Sequence, residues 1–455
     1  MLTIKKKIVL IALLILAILF ILINYNREII KSYVDKVVVS PSIRTQLINI
    51  AKVAIPLNNL VLMRNVDDKI ALLKSSRSCA FCNLSNGNFI GSDLKGVDLR
   101  YATLIGANLS NTNLTGTNLR YANLSGANLS STNLTRTNLY QANLSGVNLD
   151  GVDLSNKDLT EVNLSGVDLS NKDLTGTILT YANLTGANLD GVDLSNKDLT
   201  EVNLDGVDLS NKDLTEVNLD GVDLSNKDLT GVNLNGVDLI NKDLTGVNLS
   251  GVDLSNKDLT DTILTYANLS GANLSSTNLT RTNLHHANLS GANLDGVDLS
   301  NKDLTNVNLS GVDLSNKNLS KINLYHADLS GVNLDGTNLY HATLSGVNLS
   351  STNLTGTNLH HANLSGANLS GVDLSNKDLT GVNLDGVDLS NKDLTGTILT
   401  YANLSGANLS STNLTRTNFY NANLAGANLD GVDLSNKDLT GVNLDGVDLS
   451  NKDLT

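Results

Sequence analysis

The sequence predicts an all-β solenoid, on three observations. From residue 84 to residue 454 every fifth position is Leu, with Phe89 and Phe419 as the exceptions, giving 75 consecutive pentapeptides without an insertion. In each, the two residues before the leucine and the leucine itself alternate apolar, polar, apolar, the period of a half-buried strand. The composition, finally, leaves little room for any other core. Among 455 residues there is no Trp, only 4 Phe and 2 Pro, and aromatics make up 3%, yet 41% are hydrophobic. A globular core of this size draws much of its buried area from aromatic rings, and a disordered chain has fewer apolar residues. The pattern therefore excludes an ordinary enzyme domain. Helix is excluded from the repeats as well, because a period of five walks round a 3.6-residue helix without making a stripe.

With the leucine as position i, position i−2 is Ala, Val, Thr or Lys, apart from Cys82, Gly87, Ser92 and Ile322. Position i−1 is mostly Asn or Asp, and the leucine is followed by pairs such as Ser-Gly, Thr-Gly, Asp-Gly or Ser-Asn. Positions i−2 to i read as a short strand and the following pair as a corner. Gly or Asn at the second corner position suits a type II turn, which needs φ > 0 there. One rung cannot bury its leucines, whereas a stack of rungs can.

The runs "ANLSG", "VDLSN" and "KDLTG" resemble the pentapeptide-repeat family, A(D/N)LXX, over residues 79–455. The resemblance implies a right-handed quadrilateral parallel β-helix with four pentapeptides per coil, and about 18–19 coils over this length. Thirteen pentapeptides depart from the family pattern by carrying Lys at the inward i−2 position, among them Lys157, Lys172, Lys227, Lys242, Lys302 and Lys377. An unpaired interior ammonium is prohibitively costly. The expectation is that the stem covers apolar surface and the charge reaches solvent. There the lysines would neutralise outward aspartates such as Asp208 and Asp228, which recur four pentapeptides apart.

The N-terminal part reads differently. Residues 8–23 are uninterruptedly apolar after Lys5, Lys6 and Lys7, with Tyr25 as an interfacial anchor. No small-x-small cleavage pattern follows, so residues 1–26 read as a basic tail and an uncleaved transmembrane signal anchor. The tail is expected in the cytoplasm and the repeats outside it, periplasmic or extracellular. Residues 27–78 read as a helical stem and cap, with Ser40-Pro41 as a helix start and Ile43, Leu47, Ile50 and Ala54 on one face. Residues 1–78 carry 12 basic and 4 acidic side chains, and residues 79–455 carry 20 and 41, a net −21. A basic stem suits anionic headgroups, and an acidic repeat region will not seek nucleic acid directly. Cys82 falls in the inward slot of the first pentapeptide. It reads either as a small cysteine closing the cap or, in an oxidising compartment, as half of a short disulfide with Cys79.

No catalytic set, cofactor motif or metal site emerges. The tyrosines and histidines of the repeats nevertheless cluster. At four pentapeptides per coil, Tyr101, Tyr121, Tyr140, Tyr181, Tyr340, His341, His360, His361, Tyr401 and Tyr420 share one corner. Tyr266, His285, His286, Tyr325 and His326 share the next. An exposed aromatic stripe of this kind suits a protein or glycan partner. The function expected is a membrane-tethered, non-enzymatic rod acting as spacer or interaction scaffold. The resemblance offers an alternative, an acidic mimic of DNA that binds DNA gyrase or topoisomerase. At the far end, Leu439, Leu444, Leu449 and Leu454 are expected to line an open coil, the place for a homodimer contact.

Overall fold

The computed structural model describes Leu73, residues 75–450 and Lys452. The transmembrane anchor expected at residues 1–26, most of the stem at 27–78, and Leu454 lie outside the described residues. Among the described residues no helix is long and apolar enough to cross a membrane. The chain divides into two compact units, Met1–Val192 with Leu199–Val207, and Asp193–Asp198 with Asp208–Thr455. Each has the same construction.

Parallel bridges join residues at i−1 to their equivalents four pentapeptides on, from Ser78 with Asp98 to Asn183 with Asn203 in the first unit, and from Asp198 with Asn218 to Asn423 with Asn443 in the second. A coil is therefore four pentapeptides. Each side contributes one bridged residue, at i−1, where a longer strand was expected. The reason is visible in the backbone of residues 122–126. Ala122 N–H closes the preceding corner on the Leu119 carbonyl at 3.0 Å, and Asn123 N–H reaches back to the Ala102 carbonyl at 2.8 Å. Leu124 and Gly126 N–H reach forward to the Asn143 and Ser145 carbonyls at 2.7 and 2.8 Å. Ser125 N–H donates to the Asn123 side-chain Oδ1 at 3.0 Å. All five amides are used, three of them between coils, which meets the requirement that buried backbone groups be paired.

This pattern explains the sequence. Asn or Asp at i−1 is the acceptor for the first corner amide, an Asx turn, and the second corner residue sits at positive φ. Gly126 has φ 64° and Gly236 has φ 72°, but Gln141, Glu161, Tyr181 and His361 adopt the same region, with φ between 54° and 61°. The leucines up to Leu434 are buried, and Phe89 and Phe419 fill the same slot at 0% and 1% exposure. Each such burial contributes about 1.5–3 kcal/mol. Threonine is accepted at i−2 because its hydroxyl donates to a leucine-slot carbonyl of the coil before, as from Thr112 to Phe89 and from Thr262 to Leu239, both at 2.8 Å.

Lysine at i−2 behaves differently. Within each compact unit, neither the residue after a described lysine nor the i−1 residue of the preceding pentapeptide bridges to the coil before. Around Lys157 the Asn133–Asp153 and Asn138–Asp158 bridges are missing; around Lys377, Asn353–Asp373 and Asn358–Asp378 are missing. The aspartates are not the cause. Asp98 and Asp328, which have no such lysine, bridge normally, whereas Asn318, which follows Lys317, makes no bridge to Asp298. Several lysines reach the same carbonyl as the threonine hydroxyl: Lys172 donates to Leu149 at 2.7 Å, Lys317 to Leu294 at 2.9 Å and Lys377 to Leu354 at 2.8 Å, whereas Lys257 and Lys392 donate to the valine carbonyls of Val237 and Val372. A stem running from the interior to that carbonyl passes between the coils and holds them apart as a seam.

The expected neutralisation of outward aspartates by lysine is thereby reduced to a minor part. Burial pushes the ammonium groups of Lys257, Lys302 and Lys392 down. Lys242 pairs with Asp220, a corner carboxylate outside the aspartate columns, at 2.8 Å. The column aspartates are held chiefly by their own corners. On Asp208, hydrogen bonds from the Ser210 hydroxyl and amide keep the carboxyl below its usual range, and the charge of Lys212 adds a smaller pull. On Asp228 the Thr230 hydroxyl and amide do the same, while the charge of Asp208 opposes them.

Candidate interaction corners

Before the first coil the backbone is helical at Leu73, Ser75 and Ser76, and Leu73 is buried. Cys79 and Cys82 form a disulfide, and both are buried in the first coil. Of the two readings left open by the sequence, the structure holds the disulfide.

The rings occupy corner positions, where turn geometry sends side chains outward. Tyr181, Tyr266 and Tyr401 are 57–62% exposed, each at positive φ. They form separate clusters where one continuous stripe was expected, because coils without rings intervene. In the first compact unit Phe81, Tyr101 and Tyr121 stack on successive coils with centroids 4.7 Å apart. Tyr140 meets Tyr121 edge-on at 6.0 Å, and the Arg120 guanidinium lies 5.4 and 5.0 Å from the Tyr121 and Tyr140 centroids. Tyr140 donates to Glu161 Oε1 at 2.5 Å, which pushes its phenol pKa up. Glu161, also bonded by Gln141, stands between this cluster and Tyr181.

In the second unit Tyr340, His341 and His361 meet, the two imidazoles stacked at 4.9 Å. Thr380 and Gly381 then interrupt the corner before Tyr401 meets Tyr420 edge-on. A Cβ at Gly381 would meet His361 Nδ1, so a larger residue there would displace the imidazole. On the adjacent corner Tyr266 stacks on His286, and Tyr325 meets His326. His285 and His360 pair with Asp303 and Asp378 at 3.1 and 3.2 Å. Burial works against the charge on Asp303, but bonds from Thr305 and the His285 ring hold its carboxyl below the usual range. Sequence reading missed Phe81, which stands one coil before Tyr101; the same modular count would have found it. No group of three or more metal-ligating side chains occurs among the described residues. Toward the far end Leu439, Leu444 and Leu449 are half-buried, unlike the earlier leucines.

A family model described as pentapeptide repeats matches segments running from 78–116 to 262–301, and again 378–416 and 417–455. A second, described as a pentapeptide repeat region, matches 302–379. Among solved structures, a trypsin-treated form of QnrB1, a plasmid-mediated fluoroquinolone resistance protein, is similar at 22% identity over 46% of this chain and 90% of its own, with a TM-score of 0.30. HetL from the cyanobacterium Nostoc, a pentapeptide repeat protein involved in heterocyst differentiation regulation, is similar at 23% over 78% and 95%, TM-score 0.19. A pentapeptide repeat protein of the Arabidopsis thaliana thylakoid lumen is similar at 26% over 31% and 68%, TM-score 0.09. No curated protein sequence matches this chain. The family models cover nearly every described coil, and the chain belongs to the pentapeptide-repeat family.

Proposed function

We propose that this chain is a non-enzymatic interaction scaffold, tethered to a membrane by residues 8–23 and presenting its ring clusters to a protein partner. One observation carries the reading: the tyrosines and histidines of the repeats are confined to two of four corners, many of them at positive φ. Bulky residues rarely adopt that region, where Gly or Asn is less strained, so an aromatic there favours a purpose beyond folding. The ring faces in the Phe81–Tyr101–Tyr121 stack are covered by each other. A sugar would need those faces, so the clusters favour a protein, which can engage ring edges and the neighbouring charges.

The test is to replace His341, His360 and His361 with Ser in the full chain. These are surface corners, where substitutions usually cost within about 0.5 kcal/mol, so the β-type circular dichroism should be unchanged. A partner cross-linked by the parent in its native envelope should be captured about tenfold less, the loss of roughly 1.4 kcal/mol of binding. Equal capture would leave these residues as corner decoration without a partner. A second reading, mimicry of duplex DNA toward a topoisomerase, is favoured only by the net −21 of residues 79–455 and their aspartate columns. Inhibition of gyrase supercoiling by the full chain would support it.

A further inference from the structure

Two seams that open into surface grooves are copies of one cassette, and they differ in a way that assigns a ligand to one of them. Residues 127–159 and 272–304 share the pattern ANLSSTNLTRTNL followed, one coil later, by GVDLSNKDL. In each the lysine seam leaves a groove, about 530 Å³ beside Lys157 and about 610 Å³ beside Lys302.

In the groove beside Lys302 the charges are already paired. Arg281 binds Asp261 through two hydrogen bonds of 2.5 Å, His285 binds Asp303, and the lysine donates to the Leu279 carbonyl. In the groove beside Lys157 neither arginine has a carboxylate partner among the described residues, and the one side-chain bond of Arg120 goes to Tyr121. The lining of this groove holds Arg120, Arg136 and Lys157 against one carboxylate, Asp158. Position 116, one coil before Arg136 as Asp261 is one coil before Arg281, is Gly. The Arg120 guanidinium lies against the rings of Tyr121 and Tyr140, its carbon 5.4 and 5.0 Å from their centroids. One of its Nη groups donates to the Tyr121 hydroxyl over a long 3.5 Å. Its Nε is buried without a hydrogen-bond partner among the described residues, so the guanidinium's hydrogen-bonding capacity is not used up within the chain.

Lys157 also departs from the seams of Lys172, Lys317 and Lys377. Its Nζ donates to the Ser155 carbonyl of its own corner at 3.2 Å and not to the leucine carbonyl of the coil before. Ser155 is the residue whose carbonyl the Arg136 amide would reach in an unsplit coil, as Gly116 reaches Thr135 at 2.8 Å. The Arg136 amide accordingly finds no backbone acceptor among the described residues. Nearby acids are engaged elsewhere, Asp153 by Ser155 and Glu161 by Tyr140 and Gln141.

We propose that the groove formed by Arg120, Arg136 and Lys157 is an anion site for a soluble phosphate-class oxyanion. Two forked guanidinium groups match such an oxyanion through charge-assisted, bidentate bonds, while the lysine supplies a point charge and the Arg136 amide a further donor. Surrounding acidity favours a compact oxyanion over an extended polyanion, which would meet Asp158 and the aspartates beyond. This site goes beyond the scaffold reading and does not depend on it.

Titration of the purified full-length chain with inorganic pyrophosphate, followed by calorimetry at low salt, tests it. One equivalent is expected to bind, and more weakly as salt is added. Arg120→Gln and Arg136→Gln should each weaken binding about tenfold or more, with an unchanged circular dichroism spectrum. Gln at position 136 is compatible with the backbone, since Gln141 already adopts φ 54° at the next corner. Arg281→Gln, in the groove whose cation is paired, should leave binding as it was. No saturable binding at millimolar pyrophosphate would overturn the proposal. So would binding that both Arg120→Gln and Arg136→Gln leave intact, or that Arg281→Gln weakens equally.

Discussion

Among single residues, the Asn or Asp one place before a leucine has two duties. It faces outward, and it accepts the amide two residues on, as Asp228 does from Thr230 at 3.0 Å and Asn268 from Ser270 at 3.2 Å. Asparagine adds a third, donating from its amide nitrogen to the residue one coil earlier, as Asn288 does to Asn268 at 3.2 Å. Ionised aspartate has no proton to give and instead holds a charge that its corner stabilises. Hydrogen bonds from the following Ser or Thr keep the carboxyls of Asp208, Asp228, Asp258 and Asp393 below their usual range. A carboxyl depressed in the folded state contributes stability that is present above its unfolded pKa and is lost as pH falls through the folded one. The melting temperature should therefore hold from pH 7 to about 5 and fall progressively below about pH 4. Thermal melts followed by circular dichroism across that range check it, and an unchanged midpoint at pH 3 would contradict the Asx-turn account.

In the coil, lysine exchanges backbone bridges for one side-chain bond. Lys377 gains a bond to the Leu354 carbonyl, and the two bridges on that stretch are missing. Replacing Lys377 with Val should close the seam, because Val372 and Val382 occupy the same slot in the flanking pentapeptides and are buried. A recovered backbone bond is worth about 1 kcal/mol and burial of the apolar side chain adds to it, so the variant should melt higher. Hydrogen exchange at the Leu354 and Leu359 amides should slow; faster exchange would mean that the lysine supports the coil it separates.

Over the whole chain, charge and hydropathy divide at one place. The basic residues concentrate before position 79, next to the apolar run at 8–23, and the acidic ones after it. The proposed membrane tether belongs here. Deleting residues 1–26 is expected to release the chain from membranes, because the acidic coils carry no other apolar run of spanning length. Carbonate extraction of the two forms decides it: a truncated chain that still needs detergent would defeat the tether.

The repeat alone was enough to read off the solenoid and the residues that fill its core. A strict period of five leaves each residue one environment, so Leu84 and Leu404 can be assigned a place without knowing anything between them. The family resemblance, which implies four pentapeptides per coil, placed the tyrosines and histidines on their corners, since that number turns position into direction. Reading the i−1 residue only as an outward polar group missed its turn bond, although Asn followed by Leu and then Ser is a recognisable Asx signal. Contacts between coils, by contrast, emerged only from the folded chain. Whether Lys377 neutralises an aspartate or splits a ladder depends on a carbonyl in the neighbouring coil, and the disulfide between Cys79 and Cys82 depends on how the first coil closes. The pairing of Arg281 with Asp261, and the glycine that stands in the equivalent place before Arg136, concern residues one coil apart that the repeat pattern treats as equivalent. Periodicity sets where a side chain stands, but its free energy is set by the one particular neighbour that the next coil brings against it.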